Sequence, residues 1–131
     1  MNKIEKIYDL LFEKFGEQGW WPRFENGKFI YDKNNKNKSL TPKQQFEILI
    51  GTILTQNTSW SNVEKTIKAL DLLCLINPIE LKKIRQEQLA ELIISSGYYN
   101  QKAKKIKALI EFLDSGKEIT RENLLNVWGI G

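Results

Sequence analysis

Apolar residues recur at three- and four-residue intervals along nearly the whole chain, the spacing of helices rather than strands. In residues 2–15, Ile4, Tyr8, Leu11 and Phe15 fall on one stripe, with Asn2 placed to cap its start and Gly16 to end it. Residues 16–40 form a long polar connection that carries Trp20-Trp21-Pro22 and a lysine- and asparagine-rich run from Asp32 to Lys38. Within it Phe29-Ile30-Tyr31 reads as a short extended piece for which nothing nearby offers a partner strand. Thr41-Pro42-Lys43-Gln44 is a strong helix start, with threonine as N-cap, proline in the first turn and glutamine three residues on. The helix that follows, through Leu54, is apolar on nearly every side and is expected to be surrounded by others. Polar Thr55-Gln56-Asn57-Thr58 ends it. Val63, Ile67 and Leu70 stripe a third helix, Asn77-Pro78 with Glu80 starts a short fourth, and Leu89 to Ile94 form a fifth that stops at Gly97. A sixth runs from about Asn100 to Ser115 and closes at Gly116. Thr120 caps the last, which reaches Val127-Trp128 and breaks at Gly129-Ile130-Gly131. Seven helical segments joined by short turns predict an all-α fold, a lobe of helices packed around one central buried helix.

Composition narrows the chemistry. With 131 residues, 41% hydrophobic and 27% charged, the chain suits one domain, 1–131, in which 1–40 is a helix plus aromatic and polar loop and 41–131 is the lobe. There is no histidine, which removes imidazole catalysis and histidine metal sites. One cysteine, Cys74, allows neither an internal disulfide nor a cysteine cluster, so no metal or cofactor is expected on this chain. No apolar run approaches a membrane span, and the N-terminus MNKIEKIYDLL is unlike a signal peptide, so the expected location is cytoplasmic. Twenty basic against sixteen acidic residues give +4 and an isoelectric point near 9.1, which permits a polyanionic partner. Three cations are arginine (Arg23, Arg85, Arg121) and the rest are lysine, which favours contact with phosphates over reading of base edges.

The chain's last residues have their own physical reading. Leu124 and Val127 followed by Trp128-Gly129-Ile130-Gly131 fit the first half of a helix–hairpin–helix, where glycines let the turn approach a phosphate and backbone N–H groups donate to it. A helix end with an untidy tail fits equally well. Two further segments change the weighing. Phe46-Glu47-Ile48-Leu49-Ile50-Gly51-Thr52-Ile53-Leu54-Thr55-Gln56-Asn57-Thr58 and Ser96-Gly97-Tyr98-Tyr99-Asn100-Gln101-Lys102-Ala103-Lys104-Lys105-Ile106, together with the hairpin, resemble in order and spacing the endonuclease III-like superfamily of DNA glycosylases.

That resemblance implies a partner, double-stranded DNA with a damaged base, and an activity, flipping that base out and cleaving its N-glycosidic bond. It implies that Gln56 enters or faces the vacated space and that Tyr98 wedges from the opposite loop. On the residues alone, Gln56 is as well read as a loop amide capping the next helix, and Tyr98 as a half-buried aromatic. Lys102, Gly129, Ile130 and Gly131 would hold the DNA backbone. Lys102 also falls inside the apolar arc of its helix, where it could instead reach back toward the Tyr98 loop. Lys104 and Lys107 are expected on the solvent side. Trp20-Trp21-Pro22, Phe46 and the run from Thr55 to Trp60 are most similar to the branch that excises alkylated purines, with Phe46, Trp20 and Trp21 as the base pocket, since π faces attract a cationic purine.

The same resemblance places the family's catalytic aspartate, its lyase lysine and its four-cysteine iron–sulfur cluster after the hairpin. No catalytic residue is therefore assigned within residues 1–131, Glu47 has no family role, and a cluster would belong to a longer parent protein. This chain would then be that protein's N-terminal part, inactive by itself. The N-terminal stripe would lack its lobe partner and lie exposed or covered by another chain, a route to non-native self-association. The alternatives are a pyrimidine-lesion or mismatch glycosylase with lyase activity, a DNA-binding module without catalysis, and a helical protein-interaction domain.

Overall fold

Thr41 begins the central helix as its sequence requires. Its hydroxyl accepts from the Gln44 N–H at 3.2 Å and the Gln44 side chain accepts from the Thr41 N–H at 3.0 Å, a reciprocal cap with Pro42 in the first turn. The computed structural model describes residues 1–34 and 39–130, so part of the lysine- and asparagine-rich run, and Gly131, lie outside the described residues. The described residues contain seven α-helices, and the fold is all-α apart from one short hairpin. The chain packs as two units, residues 1–40 and 41–131.

In the first unit, α1 (Lys3–Phe15) is capped by Asn2, whose side chain accepts from the Glu5 N–H at 2.9 Å, and it stops at Gly16. None of its residues is buried, and the Ile4, Tyr8, Leu11 and Phe15 stripe lies exposed. The extended piece does have a partner, contrary to the sequence reading. β1 (Arg23–Glu25) pairs antiparallel with β2 (Lys28–Ile30), in the register Arg23 with Ile30, Phe24 with Phe29 and Glu25 with Lys28. The partner lies upstream, across the two-residue turn Asn26-Gly27, whose φ values of 49° and 78° are both positive. Asparagine followed by glycine is the pair that tolerates this mirror-image turn, and it matches the strand twist. The Phe24 and Phe29 rings meet at 4.9 Å across the ladder.

The second unit holds α2 (Pro42–Leu54), α3 (Trp60–Leu72), α4 (Pro78–Lys83), α5 (Gln86–Leu92), a 3₁₀ turn (Ile94–Ser96), α6 (Tyr99–Asp114) and α7 (Arg121–Leu125). Its core is aliphatic: Ile50, Ile53 and Leu54 of α2 are sealed with Val63, Ile67, Leu70, Leu81, Leu89, Ile93, Ile106 and Leu109. Two helices share the centre. The apolar α2 packs on α3 and α6, and α6 also carries α4, α5 and the 3₁₀ turn. This packing brings the end of α2 beside the start of α6, so the loops at those two ends become neighbours.

Candidate nucleic-acid interface

Three loops of the second unit converge: the segment after α2, the segment before α6 and the turn after α7. Gln56, two residues beyond α2, does not cap the next helix. Its Nε2 donates to the Gly129 carbonyl at 3.2 Å, and its Oε1 accepts from Lys105 Nζ at 2.6 Å. Tyr98 caps α6 in the left-handed region, φ 44° and ψ 37°, with 62% of the residue exposed. That conformation is costly for a bulky residue and is sustained only where surrounding structure enforces it. Gln56, Asn57, Tyr98, Gln101, Lys102 and Lys105 line a cleft of about 240 Å³. Gln56 and Tyr98 thus face one cleft, a juxtaposition the sequence spacing does not show.

The lysines of α6 divide by what their ammonium groups touch. Lys102, expected at the DNA backbone, is an interior residue with 2% exposure. Its Nζ donates to the Leu54 carbonyl at 2.7 Å and the Ser96 carbonyl at 2.6 Å. The first is an orphan acceptor at the end of α2, where the helix dipole also favours a cation. Lys102 therefore ties the Gln56 loop to the Tyr98 loop and has no ammonium to offer a phosphate. Burial, and secondarily the Lys105 charge, hold it below the ordinary lysine range. Lys107, expected in solvent, instead closes the end of α4. It donates to the Leu81 carbonyl at 2.5 Å and to the Ile84 carbonyl, and burial lowers its pKa as well. The bare stem length of lysine lets it reach these carbonyls from positions that helical spacing assigns to a boundary. Lys104 remains exposed and sits 4.5 Å over the Trp128 ring. Lys105, not singled out in the sequence, is the residue that contacts Gln56. It lies two turns along from Tyr98, on the same helix face, a spacing that would have identified it.

The hairpin is present as a turn after α7. Thr120 accepts from the Asn123 N–H at 3.1 Å, and the helix stops at Leu125, short of the expected Val127-Trp128. Gly129 has φ +87°, and a Cβ there would collide with the Lys105 Cγ, so both conformation and space require glycine. The Ile130 N–H donates to the Val127 carbonyl at 3.2 Å and is thus engaged within the turn rather than offered outward. This differs from the expected role of Ile130 as a backbone donor to DNA, and the cause is the tight closure of the turn.

Phe46, expected in the base pocket, lies away from this cleft. It is buried on the first turns of α2, separated from Leu54 by about 12 Å of helix. It lines a different groove of about 440 Å³ with Leu49, Ile76, Pro78, Leu113 and Ile119. Trp20 and Trp21 belong to the first unit, where their rings meet edge to face at 5.6 Å and Trp20 lies 6.0 Å from Tyr31. Glu47 is buried on α2. The exposed Cys74 is the sequence's one thiol, and a four-cysteine iron–sulfur cluster does not fit the residues present. Among the described residues, no helix is long and apolar enough to cross a membrane.

Comparison with known proteins bears on the family and the fold. The H. pylori 3-methyladenine DNA glycosylase (MagIII), solved with 1,N6-ethenoadenine bound, is similar at a TM-score of 0.63 and 32% identity, covering 98% of this chain and 57% of that one. A Methanocaldococcus jannaschii protein named as a DNA repair glycosylase is 32% identical over 99% of this chain and 58% of its own length. Endonuclease III of Thermotoga maritima is 38% identical over 66% of this chain and 42% of its own length. The chain thus spans a little over half of the first of these curated relatives and less than half of the second. Residues 50–123 match the family described as HhH-GPD superfamily base excision DNA repair protein. The match runs from the core of α2 through the cleft to the last helix, and by it the chain belongs to the HhH-GPD superfamily.

Proposed function

We propose that this chain is the damage-recognition part of a DNA N-glycosylase that flips out an alkylated purine. One observation carries the reading: Gln56 and Tyr98 face a single cleft beside the Gly129 turn. Extrusion of a nucleotide costs a few kcal/mol of stacking and pairing. An amide and an exposed phenol ring, projecting from two loops braced by Lys102, offset that cost by filling the gap. The choice of alkylated purine is supported by the likeness to the 3-methyladenine glycosylase.

Glycosidic cleavage breaks the bond between C1′ and the base nitrogen, and water then adds at C1′. Positive charge develops on the sugar and calls for a carboxylate beside it. The cleft is lined by two carboxamides from glutamine, one from asparagine, a phenol and two lysines, with no carboxylate. In this reading residues 1–131 bind and distort DNA but do not excise. The assay is release of methylated purine from alkylated duplex DNA, comparing the 131-residue chain with the product of its open reading frame carried through Gly131. Turnover by the longer protein alone is the expected result. Turnover by the 131 residues above the no-enzyme rate would show the catalytic centre to be misplaced, and none by either would overturn the glycosylase reading.

A further inference from the structure

The Gln56 amide is held at both ends by partners of opposite kind. An ammonium can only donate, so the atom facing Lys105 must be the amide oxygen. A backbone carbonyl can only accept, so the atom facing Gly129 must be the amide nitrogen. Turning the amide by 180° would set NH₂ against NH₃⁺ and oxygen against oxygen. Lys105 is itself held, because its stem lies where Gly129 has no Cβ, with Cγ, Cδ and Cε all within 3.0 Å of that missing atom's place. Glycine at 129 thus admits the lysine stem, and the lysine tip then sets the glutamine.

We propose that Lys105 is a positioning residue that fixes which hydrogen-bonding edge Gln56 presents to DNA, an inference that rests on the glycosylase reading of the cleft. One amide N–H and one oxygen lone-pair direction are used internally, which leaves one donor and one acceptor in a fixed order. A glutamine free to turn would present either order and would recognise the exposed edge of an orphaned base poorly. In this role Lys105 acts through Gln56, which its ammonium holds at 2.6 Å.

The test uses the full 131-residue chain and two duplexes of one sequence, one intact and one with a tetrahydrofuran abasic analogue. The ratio of the two affinities removes the phosphate attraction common to both. Lys105→Met keeps the stem against Gly129 and loses the ammonium, and Lys105→Arg restores a donor-only head. The expected result is a preference for the abasic duplex that falls by roughly tenfold in Lys105→Met, the scale of a hydrogen bond to a charged group, and returns in Lys105→Arg. The Gln56 side-chain amide signals in a ¹⁵N-correlated spectrum, identified by their loss in Gln56→Ala, should move to the position of solvent-exposed glutamines in Lys105→Met alone. An unchanged ratio and unchanged amide signals in a folded Lys105→Met would overturn the proposal while leaving the glycosylase reading intact. A wild-type chain that does not prefer the abasic duplex would overturn both.

Discussion

Lys102 places a charge inside the lobe and answers it with two backbone carbonyls. Replacing it by methionine leaves the Leu54 and Ser96 oxygens without that donor, at a cost of about 2 kcal/mol by the usual penalty for buried unsatisfied acceptors. The pH dependence follows from its lowered pKa. In the unfolded chain a lysine titrates near 10.4. Between the depressed folded value and that point the unfolded state holds a proton the folded state has released, so stability rises with pH across the window and is flat below it. Chemical denaturation from pH 7 into the alkaline range should show this rise in the wild type and a smaller one in Lys102→Met. Tyr98 predicts the opposite kind of trade. Relaxing its left-handed backbone with Tyr98→Gly should raise stability by up to about 1 kcal/mol. The same change should abolish any preference for abasic DNA. Loss of stability in Tyr98→Gly would mean that the ring packs rather than wedges.

Helix starts marked by a side-chain cap are legible from the chain alone. Asn2 with Glu5, Thr41 with Gln44 and Asn77 before Pro78 each start a helix where the sequence marks it, because the capping groups and their targets are neighbours in the chain. The β1–β2 hairpin is equally local, and its signal, the Asn26-Gly27 pair, stands in the sequence although the sequence reading does not use it. What local pattern does not show is where a long side chain ends. Lys102, Lys105 and Lys107 occupy one helix face and its borders, yet their tips reach α2, Gln56 and α4 respectively, partners 23 to 49 residues away. Helix α1 supplies a prediction at this scale. Its Ile4, Tyr8, Leu11 and Phe15 stripe is exposed over thirteen residues of helix, and exposed apolar stripes associate. Sedimentation of the 131-residue chain should show concentration-dependent self-association that Leu11→Glu reduces. A monomer at every concentration would argue against it.

For the molecule as a whole, a formal charge of +4 overstates what the cleft can offer DNA. Two of the four α6 lysines are engaged by backbone carbonyls, which leaves Lys104 on Trp128 and Lys105 on Gln56 as the cations beside the hairpin turn. Affinity for duplex DNA should therefore be modest, indifferent to sequence and steeply dependent on salt. The most direct measurement is fluorescence anisotropy of the 131-residue chain on two unrelated duplexes, each intact and with an abasic analogue, across a salt series. The account predicts a slope of log affinity against log salt of about −2, as for two neutralised phosphates, alike for both sequences and with tighter binding to the abasic forms. Absent binding, salt-independent binding or indifference to the abasic site would contradict it.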